Sequence, residues 1–340
     1  MKIFLTGATG FLGNNLLRQL LSRGHQCEVA VRRSSLRAPL SGLNVATSEV
    51  DLTSLGDVDR SVRNADVVIH AAALIHIGWS KLDESMRFNV ESTRALAEST
   101  KRRGKRMIQV STVDALAAAH TTKLPSENDR FPAKPDCAYV RSKRRADEIF
   151  RNQLKEGLDG IIVHPGFMIG PWDWKPSSGK MLLSVAKHFC PFAPGGGCSV
   201  VDVRDVSRGI ISAMENASTG ETYVLGGENL TYLSLWSRIA DAVGKQPPRS
   251  SLNHQAAKII AVAADAYGRI TGVEPTVNSA SIEMGQLLHW YSSQKAVDDL
   301  SYRINSVDNA INDAFRWFRN HGYLEIQGKR SSKVDVLSTS

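Results

Sequence analysis

A glycine-rich turn near the amino terminus constrains the fold more than any other feature of the sequence. Residues 2–5 are apolar and predict a short β-strand, and glycines follow in the spacing G-x-x-G-x-x-G at Gly7, Gly10 and Gly13. Residues 14–22 then carry leucines at helical spacing. A strand that runs through such a turn into a helix places backbone N–H groups and the positive helix end beside one anion. The pattern predicts a phosphate-binding turn, and a plain structural loop is the alternative.

Each position in this turn has its own role. Gly7 permits a tight turn, Gly10 lets a pyrophosphate approach the backbone, and Gly13 lets the helix pack on the strand. Phe11 and Leu12 stand at the positive end of the helix, where N–H groups are free to bind an anion. We therefore expect these five residues to bind a dinucleotide.

Composition indicates a globular protein that binds anionic small molecules. At 340 residues the chain is long for one core, so we expect a large lobe and a smaller one. The net charge of +8 comes without any nucleic-acid reader motif, and it favours an anionic cofactor and substrate over nucleic acid. The four cysteines have no paired spacing, which favours a reduced, cytoplasmic protein. No apolar segment is long enough to span a bilayer, no room is left for a targeting peptide, and no set of ligands predicts a metal site.

The end of the second predicted strand, residues 26–31, indicates which dinucleotide binds. Folds selective for NAD usually carry Asp or Glu at this place, about 20 residues after the glycines. Here the strand ends at Arg32 and Arg33. Arginine is suited to a 2′-phosphate because its guanidinium is a forked donor. We expect NADP(H) to be preferred and NAD(H) to be possible, with a solvent-exposed basic turn as the alternative.

Strands alternate with helices from residue 2 to about residue 165, which predicts an α/β fold with a parallel, doubly wound sheet. The expected domains are an NAD(P)-binding domain at 1–170, to which 196–215 returns, and a mainly substrate-binding lobe at 171–328. Residues 329–340 are expected to form a polar tail. Asp205 is expected to cap the helix that follows the returning strand.

Tyr139 and Lys143 are one helical turn apart, so their side chains lie on the same face of a predicted helix. An ammonium beside a phenol favours the phenolate and lowers its pKa from the usual value near 10. The pair therefore predicts a tyrosine that donates or accepts a proton near neutral pH.

These motifs, in this order, resemble the extended short-chain dehydrogenase/reductase family, which includes NAD-dependent epimerases and dehydratases. The resemblance covers about residues 2–325, and residues 170–176 and 225–231 are most similar to dihydroflavonol-4-reductase-like proteins and hopanoid-associated sugar epimerases. It implies a Rossmann-type fold and the interconversion of a carbonyl and a secondary alcohol by hydride transfer to or from a nicotinamide, with Tyr139 as acid/base and Lys143 also holding the nicotinamide ribose. A nucleotide-sugar epimerase or dehydratase with tightly bound NAD is one alternative, and a non-catalytic cofactor-sensing protein is another.

The resemblance also assigns expected roles to further residues. Thr112 is expected to bind the reacting oxygen, with Ser111 as the alternative, and Asn89 is expected near the cofactor unless it makes a structural bond between helix and strand. The other expected cofactor contacts are Asp51, Leu52, Ala71, Ala72, Ala73, Pro165 and Gly166. The expected substrate contacts, some of which serve equally well as core or lid packing, are His76, Trp79, Trp172, Trp174, Met181 and Arg204. Relatives also imply a homodimer through the helices that begin near Met86 and Tyr139.

Overall fold

A parallel sheet of seven strands is the framework of the computed structural model, which describes residues 1–119, 124–127, 129 and 134–324. Numbered along the chain, its strands are β1 (Lys2–Thr6), β2 (Gln26–Val31), β3 (Ala46–Glu49), β4 (Val67–His70), β5 (Arg106–Val110), β6 (Asp159–Pro165) and β10 (Thr222–Leu225). They lie in the order β10-β6-β5-β4-β1-β2-β3. The order runs outward in both directions from the β1–β4 pair, which confirms the doubly wound sheet predicted from the sequence.

The remaining strands of the described residues form two small sheets. They are β7 (Phe167–Ile169), β8 (Phe192–Ala193), β9 (Gly197–Asp202), β11 (Glu228–Thr231), β12 (Ser250–Ser251) and β13 (Leu288–His289). Strand β9 pairs antiparallel with β11 and parallel with β7 and β13. Strands β8 and β12 form a separate parallel pair.

Helices flank the main sheet on both faces. The described helices are α1 (Phe11–Ser22), α2 (Leu55–Ser61), α3 (Leu82–Arg102), α4 (Ala138–Lys155), α5 (Gly179–Lys187), α6 (Val203–Asn216), α7 (Tyr232–Val243), α8 (His254–Thr271), α9 (Ser279–Gly285), α10 (Gln294–Leu300) and α11 (Val307–Asn320). Successive side chains of β1 point to opposite faces. Ile3 and Leu5 share a core cluster with Leu16 of α1, whereas Phe4 lies in a second cluster with Leu96 of α3. Burial on both faces explains why the strands read as continuous apolar runs.

The structure differs from the expected boundaries in two places. Strand β10 lies inside the stretch 171–328 that we assigned to the substrate lobe, yet it pairs with β6 at the edge of the main sheet. Within the segment 196–215, helix α6 packs against α1, but β9 pairs in the second sheet. The expected polar tail at 329–340 lies outside the described residues.

The prediction that Asp205 caps α6 is wrong. Strand β9 ends at Asp202, and the side chain of Asp202 accepts a hydrogen bond from the backbone N–H of Arg204 at 2.8 Å. Asp205 lies in the first turn and accepts from the N–H of Asn305 at 2.7 Å. The helix therefore begins earlier than the sequence pattern indicated. Among the described helices, none is long and apolar enough to cross a membrane.

Candidate active site

The turn between β1 and α1 has the close packing that requires glycine. Gly7 has a φ of +76°, and a Cβ on it would lie 2.7 Å from the backbone of Ala71. A Cβ on Gly13 would lie 2.1 Å from the carbonyl oxygen of Gly7. At Gly10 the nearest atom to an added Cβ is that same oxygen, at 3.2 Å, so the protein itself constrains this position less. The steric roles expected of Gly7 and Gly13 are confirmed.

The amino terminus of α1 is open to an anion. Gly10 is the residue that precedes the helix, and none of the described side chains caps it. The first N–H groups of a helix have no partner within the helix. Those of Phe11 and Leu12 are therefore available to a phosphate, and the residues of the turn fit a dinucleotide.

The carboxyl ends of β1 and β4 meet in a buried polar link. The hydroxyl of Thr6 lies 2.8 Å from Nδ1 of His70 and accepts a hydrogen bond from the N–H of Ala72 at 3.2 Å. Burial lowers the pKa of His70 to about 3, and the nearby charge of Lys143 adds to this shift. A histidine that stays neutral here joins the strand ends without carrying charge into the site. Ala71, Ala72 and Ala73 follow β4 and are half-buried.

Asn89 of α3 makes the structural bonds that we considered as an alternative to cofactor binding. Its Oδ1 accepts from the N–H of Leu74 at 2.7 Å. Its Nδ2 donates to the carbonyl of Leu74 at 3.0 Å and to the hydroxyl of Ser142 at 2.9 Å. Asn89 therefore fixes the segment after β4 to both α3 and α4.

Tyr139 lies in the first turn of α4 and is only 8% exposed. The side chain of Thr112, just after β5, lies near enough to its phenol for hydrogen bonding to oppose the rise in the pKa of Tyr139. Ser111 is turned elsewhere, because its hydroxyl donates to Oδ2 of Asp147 at 2.7 Å. Of the two hydroxyls considered from the sequence, the structure brings Thr112 to the tyrosine.

The protonation of Tyr139 differs from the expectation. Burial raises the pKa of Tyr139 well above its usual value, the charge of Asp114 raises it further, and the bond to Thr112 opposes the shift only in part. Lys143 is buried and donates to the carbonyl of Val110 at 2.9 Å. Burial lowers the pKa of Lys143. The expected lowering of the tyrosine pKa by lysine is wrong for this structure, because burial dominates the pKa of Tyr139 and the ammonium of Lys143 donates to the backbone instead.

Sequence reasoning missed a charged cluster beside Tyr139. Nζ of Lys134 donates to Val113 O at 2.7 Å and to the hydroxyl of Tyr291 at 2.6 Å, and it lies 3.3 Å from Oδ1 of Asp114. His289 Nδ1 lies 2.9 Å from the same carboxylate oxygen. These residues are far apart in the sequence, and Lys134 falls in a proline-containing loop without periodicity, so no sequence signal joined them.

The pKa values within this cluster are strongly perturbed. Burial lowers the pKa of Lys134 to about 8, although the carboxylate of Asp114 opposes the shift. Burial alone would raise the pKa of Asp114, but Lys134 and His289 outweigh it and hold that pKa well below its usual range. The cluster therefore carries an ion pair close to the phenol of Tyr139.

His76 and Trp79 belong to the loop between β4 and α3, which contacts the start of α4. The N–H of Tyr139 donates to the carbonyl of His76 at 3.2 Å, and that of Ala138 donates to Gly78 O at 2.9 Å. The carboxylate of Glu274 holds this loop from the other side, since it lies 2.8 Å from Nε2 of His76 and accepts from the N–H of Trp79 at 2.7 Å. The loop that carries these two expected substrate contacts is therefore bonded to the backbone at the start of α4.

The other four expected substrate contacts have packing roles. Trp172 and Trp174 lie in an aromatic cluster with Trp317, and the guanidinium of Arg18 sits 3.5 Å above the Trp172 ring. Met181 packs against the same core cluster. Arg204 forms ion pairs with Asp202 at 2.6 Å and Asp313 at 2.7 Å. The packing alternative, which applied to the aromatic residues, describes what the structure shows for Trp172 and Trp174.

The remaining expected cofactor contacts lie at strand ends. Arg32 and Arg33 are exposed at the end of β2, and neither guanidinium has a carboxylate partner among the described residues. Asp51 is exposed and accepts from the N–H of Thr53 at 2.9 Å, whereas Leu52 is buried in a core cluster.

Pro165 ends β6, and the turn that follows is closely packed. The N–H of Gly166 donates to Leu225 O at 3.0 Å, and a Cβ on this glycine would lie 2.5 Å from Ser199 O. His164 is fully buried, with Nδ1 3.0 Å from the carbonyl of Thr112, and burial lowers its pKa. It is therefore a neutral, packed histidine.

The fold and this arrangement define a dinucleotide-binding α/β protein, and comparison with known proteins agrees. Residues 3–226 match the NAD dependent epimerase/dehydratase family. A relative named putative dihydroflavonol 4-reductase, from Synechocystis, is 30% identical over 332 residues, which are 95% of this chain and 96% of the relative. Sterol demethylase protein B of Methylococcus capsulatus is 29% identical over 95% of this chain and 100% of that protein. The crystal structure of gox2253 superposes with a TM-score of 0.83 at 31% identity, over 95% of this chain and 99% of that one.

The chain therefore belongs to the NAD-dependent epimerase/dehydratase family, which is the extended short-chain dehydrogenase/reductase family predicted from its motifs.

Proposed function

We propose that this protein is an NADP(H)-preferring reductase that converts a carbonyl to a secondary alcohol, or catalyses the reverse reaction. The observation that carries this proposal is the group formed by Tyr139, Thr112 and Lys143, which joins the end of β5 to the start of α4. A phenol whose pKa is raised stays protonated at neutral pH. It therefore holds the proton that carbonyl reduction consumes, and its position beside Thr112 and Lys143, not the raised pKa, is what supports the proposal.

Each residue has a distinct part in this reaction. The bound nicotinamide would supply the hydride. The phenol of Tyr139 gives its proton to the carbonyl oxygen, and the hydroxyl of Thr112 holds that oxygen in place. The ammonium of Lys143 lies on the same face of α4 one turn later, where it binds the ribose.

The residues that would hold the dinucleotide follow from the glycine turn and the strand ends. The N–H groups of Phe11 and Leu12 bind the pyrophosphate. The exposed guanidinium of Arg32 or Arg33, which has no carboxylate partner among the described residues, binds a 2′-phosphate. Neither arginine has to break an ion pair to do so, which favours NADP(H) over NAD(H).

The substrate class follows from the surroundings of Tyr139 and from the relatives. The loop bonded to the start of α4 exposes Ile75, Ile77 and Trp79. The names of two relatives refer to a dihydroflavonol and a sterol, both compounds with a fused-ring skeleton. We therefore propose a largely apolar ketone or alcohol as the substrate.

The same family supports a second function, that of a nucleotide-sugar epimerase or dehydratase with tightly bound NAD. Purified protein distinguishes the possibilities. Net consumption of NADPH with apolar ketones supports the reductase, whereas retained NAD(H) with no net consumption supports the epimerase or dehydratase. Cofactor binding without turnover of either substrate class would indicate a non-catalytic cofactor sensor.

The decisive variant is Tyr139→Phe, assayed at the NADPH absorbance with a ketone that the wild type reduces. Phenylalanine keeps the ring and removes the proton, so turnover should fall by about 10²- to 10⁴-fold while NADPH binding changes little. Tyr302→Phe is a matched control, because the hydroxyl of Tyr302 is also buried but bonds to Gly226 O at 3.1 Å. Near-wild-type turnover in Tyr139→Phe would refute the assignment of the acid.

A further inference from the structure

Helix α8 is unusual because its apolar side chains face outward. Only two of its 18 residues, Ala257 and Ala261, are buried. Ile259 follows Ala257 by two residues and therefore points about 200° away around the helix. It is 71% exposed, and Ile270 on the same side is 85% exposed. The helix thus packs on α9 through small residues and presents its large ones to solvent.

We call this surface the α8 face, and it is formed by Ile259, Ile260, Val262, Tyr267 and Ile270. It continues into the linker between α8 and α9, where Val273 and Val277 are exposed. The loop that the linker holds adds Ile75, Ile77 and Trp79. Ten of the seventeen large apolar side chains that are exposed in the described residues lie in these three connected segments. Exposed apolar side chains concentrated in this way mark an interaction surface.

The charges that flank the α8 face are basic. Lys258 and Arg269 are exposed on α8. The one carboxylate in α8, Asp265, accepts from the N–H of Ser279 at 3.0 Å. Glu274 of the linker is engaged by Ser80 and by His76 at 2.8 Å. Apolar side chains bordered by exposed cations are complementary to an anionic membrane surface, which offers acyl chains to the first and anionic headgroups to the second.

We propose that the α8 face docks on the surface of an anionic phospholipid bilayer. The helix lies in the interface with its isoleucines among the acyl chains, while Lys258 and Arg269 contact the headgroups. A second copy of this chain fits less well, because a two-fold interface through the same face gathers the Lys258 and Arg269 cations of both copies around one interface. An anionic bilayer supplies the opposite charge.

This surface is connected to the candidate active site by hydrogen bonds. Nδ2 of Asn278 in the linker donates to the carbonyl of Ile77 at 3.1 Å. The loop in turn accepts from the N–H groups of Ala138 and Tyr139 at the start of α4. Docking through the α8 face therefore places the border of the site against the membrane, where an apolar substrate dissolves. This last step rests on the proposed function, whereas the docking does not.

The test is co-sedimentation of the full chain with vesicles, without substrate or cofactor. Vesicles of phosphatidylcholine with about one-quarter phosphatidylglycerol should bind the protein, pure phosphatidylcholine should bind it less, and added salt should weaken the anionic binding. The double variant Ile259→Glu with Ile270→Glu should bind at least about tenfold more weakly, because it puts anions in place of the apolar groups that enter the bilayer on docking. Lys258→Gln with Arg269→Gln should lose about tenfold on the anionic vesicles only.

Ile304→Glu with Val297→Glu is the matched control, since these apolar residues are 44% and 38% exposed outside the patch. It should bind like the wild type. All substituted residues are exposed, so thermal melting should show that each variant folds. The proposal is overturned if the wild type binds neither kind of vesicle. It is also overturned if the control variant loses as much vesicle binding as the variant of Ile259 and Ile270. Self-association that the Ile259 and Ile270 variant abolishes, without vesicle binding, would show that a second copy covers the face. Because no turnover is measured, these results stand apart from those of the reductase assay.

Discussion

Replacing Lys134 by methionine should change how the stability of the protein depends on pH. The side chain of Lys134 is 0% exposed, and burial lowers its pKa from 10.5 to about 8. In the unfolded chain the lysine regains its ordinary pKa. Between about pH 8 and pH 10.5, the unfolded chain therefore holds a proton that the folded protein has released.

The sign and size of the effect follow from this difference. Because the folded-state pKa is the lower one, the charged lysine destabilises the fold below pH 8, and this penalty disappears as the pH rises. The difference between 10.5 and about 8 corresponds to about 3 kcal/mol in full. About 2 kcal/mol of it should be recovered between roughly pH 7.5 and pH 9.5.

Denaturant unfolding of the wild type and of Lys134→Met over this pH range measures the effect. The free energy of unfolding of the wild type should rise by about 2 kcal/mol relative to that of the variant. The difference between the two proteins isolates Lys134, because tyrosines and cysteines that titrate in the same range are common to both. Lys187→Met, at an exposed lysine, controls for the loss of one positive charge. Parallel curves for the wild type and Lys134→Met would refute the reasoning.

Four further predictions concern the cofactor site, the active site and assembly. Arg32→Ala should weaken NADPH binding about tenfold or more and leave NADH binding unchanged in a fluorescence titration, since a charge-assisted bond is worth about 1.5–3 kcal/mol; equal wild-type affinities for the two cofactors would contradict this. Thr112→Val should lose most turnover in the ketone assay while Thr112→Ser remains active, because only valine removes the hydroxyl; equal turnover of the two variants would exclude a role for it. Gly13→Ala should lower Tm and NADPH affinity, because its methyl group would lie 2.1 Å from Gly7 O; unchanged melting and binding would mean that the turn adjusts freely. The homodimer expected through α3 and α4 should sediment at about twice the chain mass of 37.2 kDa, and a single monomeric species at micromolar concentration would rule it out.

The sequence determined the features that depend on neighbours along the chain. Gly7 and Gly13 were identifiable because a strand, a turn and a helix follow one another directly. Tyr139 and Lys143 were paired because residues four apart share a helical face. The order of strands and helices predicted the doubly wound sheet in the same way.

Only the tertiary structure decided which distant residues meet. The packing of α4 decided that Thr112, and not Ser111, lies near Tyr139. Lys134 lies beside Asp114 and His289 although the three residues come from segments that share no periodicity. The pKa of Tyr139 could not be predicted from the spacing of Lys143 alone, since it depends on how completely the phenol is removed from water. Likewise, the sequence shows that α8 is rich in apolar residues. Only the packing of its alanines on α9 shows that the large apolar side chains face outward. Local patterns fix backbone conformation, whereas burial and electrostatic environment are properties of the whole packed chain.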